Sequence, residues 1–301
     1  MTGLCDGRVV IVTGAGRGIG RAHALAFAAE GASVVVNDIG VGLDGSGGGV
    51  SPAQEVVDAI AGAGGSAIVD TTDVADWSGV EGLIERTVST FGRLDVVVNN
   101  AGFLRDRMIA NIAEDEWDAV IRVHLKGHAA LLRHSAAYWR AESKAGRQPV
   151  ARVINTSSGA GLMGSVGQGA YSAAKAGIVG LTLVAAAELG RYGVTVNAIA
   201  PAARTRMTEE AFASTMGPVA SGFDAMAPEN VSPLVVWLGS AESSHVTGRV
   251  FEVEGGSVSL ADGFQHGPAR DKGQRWAPAE LGPVVDELLA EAPAPAPVYG
   301  V

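Results

Sequence analysis

The sequence predicts a single-domain α/β fold, a doubly wound sheet of about seven parallel strands with helices on both faces. Three observations predict it: strand-sized β-branched runs recur along the chain, they are apolar without alternation, and alanine-rich segments of helical length separate them. Runs that are apolar at every position belong to strands buried on both faces, the condition of a parallel sheet covered by helices. In chain order the expected strands are Val9–Val12, Val34–Val36, Ala67–Val69, Leu94–Val98, Arg152–Asn155, Val194–Ile199 and Arg249–Val253. The expected helices, roughly Gly18–Glu30, Pro52–Ala63, Trp77–Phe91, Glu114–Trp139, Tyr171–Gly190 and Glu229–Gly239, are long enough to serve as right-handed crossovers.

The chain has 301 residues, 47% of them hydrophobic, which is enough for a sizeable core. The strand–helix rhythm runs unbroken, so one domain over residues 1–263 is expected, followed by an extension over 264–301. That extension reads as a helix from Ala279 to Ala290 and then Ala-Pro repeats at Ala292–Pro297, where proline favours an extended chain. The glycine-rich stretch Gly40–Ser51 reads as a loop after the second strand. Twenty-two lysines and arginines stand against 32 acids, a net charge of −10 that repels nucleic acid and anionic membrane surfaces. The single cysteine, Cys5, allows neither an internal disulfide nor a cysteine cluster for a metal. No signal-peptide core and no uninterrupted apolar stretch of about 18 residues is found, so a cytoplasmic chain without a membrane span is expected.

Directly after the first strand comes Thr13-Gly14-Ala15-Gly16-Arg17-Gly18-Ile19-Gly20, opening a helix. Glycines let the backbone turn sharply and approach a pyrophosphate, which the free N–H groups and dipole of a helix N-terminus then hold. Asp38 ends the second strand 18 residues beyond Gly20, near the spacing at which a carboxylate accepts from the adenosine ribose hydroxyls. This context makes the expected fold Rossmann-like and the cofactor a dinucleotide. A carboxylate repels a 2′-phosphate, so Asp38 favours NAD over NADP, while Arg17 beside the loop is the counter-signal. The plainer alternative for Asp38 is a turn cap.

Ser158 follows the Arg152–Asn155 run, at the strand edge where doubly wound sheets bind ligands. Tyr171 and Lys175, four apart, share one face of the next helix. An ammonium beside a phenol favours the phenolate, so Tyr171 is expected to have a lowered pKa and act as general base. Ser158 can donate to the substrate oxygen on which charge develops. Tyr/Lys pairs at this spacing also occur by chance on helix surfaces.

Together, the glycine string Thr13–Gly20, Asn99-Asn100-Ala101-Gly102, Ser158 and Tyr171-Ser172-Ala173-Ala174-Lys175 resemble the short-chain dehydrogenase/reductase family, from about Leu4 to Gly263. The resemblance implies Tyr171 as base, Lys175 on the nicotinamide ribose, and Ser158, thirteen residues ahead of the tyrosine and preferred to Ser157, on the reacting oxygen. It also implies Asp73 and Val74 near adenine, Asn99, Ala101 and Gly102 along the cofactor, Ile199 beside the nicotinamide, and Pro201 and Thr205 near the carboxamide. Two positions depart from the family pattern. His124 stands where most members have the asparagine of a proton relay; it can still hold a water, but it can also charge near neutral pH or simply be structural. Ala202 follows Pro201 where glycine is usual, which should make that turn less free.

A narrower likeness lies in Asn37-Asp38-Ile39-Gly40 with the glycine-rich insertion, Leu104-Arg105-Asp106-Arg107, Val123-His124-Leu125-Lys126-Gly127, Gly167–Tyr171 and Ala203–Thr208. These resemble the (3R)-hydroxyacyl-CoA dehydrogenase part of peroxisomal multifunctional enzymes and bacterial stand-alone relatives associated with lipid or steroid breakdown. That implies oxidation of a 3-hydroxyacyl-CoA or a steroid-derived alcohol to the ketone. Met207, Phe212, Met216, Phe223 and Met226 suit an apolar lid or ordinary packing, and Arg105, Arg107, Arg204 and Arg206 suit CoA phosphates or solvated loops. A non-catalytic NAD-binding regulator and an NADPH-dependent 3-oxoacyl reductase are the alternatives. Walker, nucleophile-elbow and zincin motifs are absent. Alanine- and glycine-rich helices at Glu114–Trp139 and Tyr171–Gly190 allow close helix approach between subunits or within one, and the family resemblance implies that they pair in a homodimer or homotetramer.

Overall fold

In the computed structural model, which describes residues 3–40, 51–205, 222–261 and 263–299, one sheet of eight strands has the order β3-β2-β1-β4-β5-β6-β7-β8. The strands are β1 (Val9–Thr13), β2 (Ser33–Asn37), β3 (Ser66–Asp70), β4 (Val96–Asn99), β5 (Ala151–Thr156), β6 (Val194–Ala202), β7 (Val250–Glu254) and β8 (Ser257–Ala261). The first seven pair in parallel, as expected; β8 is an addition, antiparallel to β7 across a Gly255-Gly256 turn. Its sequence alternates Ser-Val-Ser-Leu and is largely exposed, the pattern of an edge strand rather than of the buried runs that betray the others.

The helices are α1 (Gly18–Ala29), α2 (Ser51–Gly62), α3 (Trp77–Phe91), α4 (Glu114–Ile121), α5 (Gly127–Lys144), α6 (Gly159–Met163), α7 (Gly169–Leu189), α8 (Ser232–Gly239) and α9 (Leu281–Glu291). Alternate residues of the central strands bury to opposite sides. Val10, Val12, Val34, Val36, Val96 and Val98 pack with Phe27, Val56, Ile60, Val235 and Leu238, whereas Ile11, Val35, Val97, Val153 and Val196 pack with Leu83, Leu131, Trp139 and Leu189. Each such side chain contributes about 1.5–3 kcal/mol by leaving water, which is why the strands carry no polar face.

One feature corrects the sequence reading and two add to it. The segment expected as one helix over Glu114–Trp139 is interrupted by a π-helical stretch, Arg122–Lys126, and then runs on to Lys144. A π turn holds one extra residue, so the apolar periodicity continues through it with only a phase slip, and such turns often mark functional positions. Second, the tail does not trail away: after α9 it returns to the body, where Tyr299 bridges Ser165. Third, one helix among the described residues, Gly169–Tyr192, is long and apolar enough to cross a membrane by length and composition. Lys175 and Glu188 interrupt its apolar run, and it packs on β6 with Lys175 and Leu189 buried.

Three histidines lie wholly inside. His23, against the Ser232 hydroxyl at 2.9 Å, and His128 are pushed down to about 3 by burial, and His124 is held well below its usual value. Unfolding frees all three to take up protons below about 6.5; in the folded state His23 and His128 refuse them until about 3, and burial holds His124 well below 6.5 as well. Their contribution to stability is therefore complete above pH 6.5 and declines as pH falls toward 3. Melting temperatures recorded from about pH 6.5 to about pH 4 are expected to drop steadily; a flat profile over that range would contradict the assignment.

Candidate active site

Parallel pairing brings the C-terminal ends of the strands to one edge, with Thr13 level with Asn37, Asn37 with Asp70, Asn99 with Asn155 and Thr156 with Ile199. The strand order reverses between β1 and β4, and doubly wound sheets bind ligands in the crevice outside that switch point.

The glycine string lies at this crevice. Gly14 and Gly18 adopt φ of +62° and +54°, backbone that L side chains rarely enter. A Cβ at Gly14 would stand 2.8 Å from the Ala101 Cα, and one at Gly20 would stand 2.2 Å from the Gly14 carbonyl oxygen. Gly16 abuts Asp38, whose Oδ2 accepts the Gly16 N–H at 2.9 Å while Oδ1 accepts the Gly40 N–H at 2.7 Å. Asp38 is thus both a turn cap and a carboxylate at the loop. Arg17, exposed, precedes α1 without capping it by a side-chain bond, and no acidic residue occupies the first turn. The leading N–H groups around Gly18, Ile19 and Gly20 have no side-chain competitor there, which fits a pyrophosphate. Thr205 also reaches the loop, its Cγ2 3.5 Å from where a Gly18 Cβ would be.

Two residues that the sequence reading gave no role hold the crevice together. The Thr13 hydroxyl accepts the N–H groups of Asn100 and Ala101 at 3.0 and 3.1 Å, and Asn100 Nδ2 donates back to the Thr13 carbonyl at 2.9 Å. Asn99 Nδ2 donates to Asn155 Oδ1 at 2.9 Å, so its side chain links strands. Asp73 accepts the Ala75 N–H at 2.9 Å and is ion-paired to Arg122, while Val74 is buried against Gly127. Gly102 leaves no room for a side chain because the His124 ring fills that space, 2.2 Å from a Cβ. Pro201 lies within β6, and no non-glycine residue among those described has positive φ, so Ala202 fits its extended backbone without strain.

On the other side of the crevice, Ser158 caps α6, its Oγ accepting the Ala160 N–H at 3.2 Å, and its hydroxyl favours the ionised form of Tyr171. Ser157 turns inward, donating to the Lys175 carbonyl at 2.9 Å. Lys175 Nζ donates to the Thr156 carbonyl at 2.6 Å and lies 5.4 Å from the centre of the Tyr171 ring. The expected lowering of the Tyr171 pKa is not what the structure gives. Burial pushes the phenol up to about 12, outweighing the lowering effect of Ser158, and burial also pulls Lys175 down to about 7. Desolvation penalises both charged forms, so neither group stabilises the other's ion at neutral pH as proximity alone implied.

His124 stands in the π stretch, edge-on to Tyr171 at 5.2 Å between ring centres. Its Nε2 lies 2.7 Å from the Phe103 carbonyl oxygen and 3.0 Å from the Phe103 amide nitrogen, and its Nδ1 is buried without a partner. Burial, with Lys175 nearby, keeps the ring neutral, contrary to the expectation that it could charge near neutral pH. Of the arginines considered for CoA, Arg204 is ion-paired with Asp224, Arg107 pairs with Glu116 at 3.1 Å, and Arg105 stacks over Phe103 at 5.0 Å. Phe223 is exposed and Met226 accepts the Arg204 N–H at 2.7 Å; Arg206, Met207, Thr208, Phe212, Met216 and most of the Gly40–Ser51 loop lie outside the described residues.

Comparison with known proteins agrees with this geometry. A family model described as short chain dehydrogenase matches residues 8–215. The crystal structure of a short chain dehydrogenase from Mycobacterium avium is 70% identical, with a TM-score of 0.90 over 99% of this chain and 100% of that one. The hydroxyacyl-CoA dehydrogenase ChsB1 of Mycobacterium tuberculosis is 45% identical over 95% of this chain and 89% of its own length. The mouse peroxisomal multifunctional enzyme type 2 is also 45% identical over 84% of this chain, which spans only 32% of that longer protein.

Proposed function

Since the chain belongs to the short-chain dehydrogenase/reductase family, and is thereby an alcohol oxidoreductase that uses a nicotinamide cofactor, we propose that it interconverts a secondary alcohol and its ketone with NAD, on a 3-hydroxyacyl-CoA or a steroid-derived lipid. The observation that carries the reading is the meeting of Ser158, Tyr171 and Lys175 at the strand edge beside the glycine loop. Likeness to hydroxyacyl-CoA dehydrogenases supports the substrate class. Asp38 at Gly16 supports NAD, because its carboxylate would repel a 2′-phosphate.

The cofactor, when bound, supplies the hydride acceptor or donor. Gly14, Gly16, Gly18, Ile19 and Gly20 with the start of α1 would hold its pyrophosphate, Asp38 its adenosine ribose, Asp73 and Val74 border the adenine, and Asn99, Ala101, Gly102, Lys175, Pro201 and Thr205 complete the nicotinamide side. Ser158 donates to the reacting oxygen and fixes it within reach of Tyr171. Tyr171 keeps its proton at neutral pH, so it gives that proton readily to the oxygen of a ketone being reduced, and takes one from an alcohol more readily as pH rises. Neutral His124, packed edge-on to the tyrosine, places no second charge beside the phenol. A second copy of the chain packed on Leu183 and Val184, which α7 leaves exposed, is part of the same reading.

The test is to mix the protein with NAD or NADP and a panel of 3-hydroxyacyl-CoA thioesters and hydroxysteroids while following reduced-nicotinamide absorbance. NAD should be preferred, and Asp38→Ala should raise the NADP/NAD ratio of kcat/KM by about tenfold or more, the equivalent of about 1.4 kcal/mol of relieved repulsion. No turnover across the panel, or an unchanged ratio, would refute the corresponding part.

A further inference from the structure

Three segments far apart in sequence meet next to Ser158. The Gly164–Gln168 stretch is bridged on one side to Arg107, whose N–H donates to the Gly167 carbonyl at 2.7 Å. On its other side it is bridged to the chain's far end: Val166 N–H donates to the Tyr299 carbonyl at 2.9 Å, and Tyr299 N–H donates to the Gly164 carbonyl at 3.1 Å. The Tyr299 ring then lies across the backbone that follows the serine. A Cβ at Gly159 would be 2.8 Å from Tyr299 Cε2 and 2.9 Å from its Oη, and one at Gly164 would be 3.5 Å from Val298 Cγ1. Glycine at 159 is therefore demanded by the tail, and the tail by its main-chain pairing.

The extension is built to deliver this residue. Arg270 ties the irregular segment that follows β8 to Glu287 and Glu291 on α9, and Lys272 holds Glu280 while stacking on Trp276 at 4.7 Å. Beyond the helix, Ala292–Pro297 alternates proline, which stiffens an extended chain and lowers the entropy lost on docking its end. Tyr299 remains 48% exposed, so the ring is no core filler; one side rests on the Ser158 turn and the other is open.

We propose that Tyr299 is a specificity-determining residue, its ring forming the wall of the substrate site beside Ser158 and limiting the bulk accepted on that side of the reacting carbon. The inference rests on the secondary-alcohol reading above. Tyr299→Ala removes the ring and leaves the main-chain bridge able to form; Tyr299→Phe removes only the hydroxyl. With NAD, kcat/KM would be measured for a short linear 3-hydroxyacyl-CoA and for a bulky cyclic secondary alcohol, alongside NAD affinity by fluorescence. In Tyr299→Ala the bulky-to-linear ratio is expected to rise by about tenfold or more, with Tyr299→Phe near wild type and NAD affinity unchanged in both. An unchanged ratio, in a wild type that turns over the linear substrate, overturns the role of Tyr299 and leaves the alcohol reading standing. Wild type that binds NAD yet oxidises neither substrate overturns that reading and the proposal with it.

Discussion

Replacing Tyr171 with phenylalanine is expected to lower kcat for alcohol oxidation by about 10³-fold, within the range that general acid–base catalysis contributes. The substitution deletes one oxygen from a ring already packed edge-on against His124, so fold and melting temperature should hold. Coenzyme affinity should hold as well, because the lost atom serves the proton. The pH profile separates this role from a packing role. Burial sets the phenol at about 12, so wild-type oxidation should accelerate as pH rises through neutrality, whereas the residual activity of Tyr171→Phe should lack that rise. A variant retaining more than a tenth of wild-type turnover would remove Tyr171 from the chemistry.

Lys175→Met should separate activity from stability in opposite directions. The ammonium is only 2% exposed, and its pKa falls from 10.5 to about 7 because the interior disfavours the charge. Folding must shed that proton between pH 10.5 and 7, so stability is lost as pH falls across this window and the penalty is nearly complete at pH 7. Each pKa unit corresponds to about 1.4 kcal/mol, which together outweigh the net of about 1 kcal/mol from the hydrogen bond to Thr156. Methionine keeps the unbranched stem without the charge. We expect a higher melting temperature at pH 7, a loss of about 10²-fold or more in kcat/KM, and weaker coenzyme binding, measured by thermal shift, steady-state rates and fluorescence titration. A stabilised variant with wild-type rates would show that the amine serves neither catalysis nor coenzyme.

Much of this molecule is legible in its sequence where local pattern and burial coincide. Val34–Val36 and Val96–Val98 are apolar at every position because both sheet faces are covered, and Tyr171 and Lys175 share a helical face by spacing alone. What escapes is whatever depends on surroundings. β8 alternates because one edge meets solvent, so a search for continuous apolar runs passes over it. The π stretch at His124 leaves no compositional trace, since one inserted residue merely shifts the phase of a periodic pattern. The direction of the Tyr171 pKa escapes the sequence because spacing shows proximity and not desolvation. Tyr299 lay in an alanine–proline tail with no motif, and only the folded chain brings it to Gly159.

The cross-ties between Thr13 and Asn100 carry a final implication. They fasten the turn after β1 to the turn after β4, so the two rims of the crevice form a receptacle that is assembled when the polypeptide folds. The freedom those turns surrender is lost then and not at the moment of encounter, which leaves more of each new contact to appear as affinity.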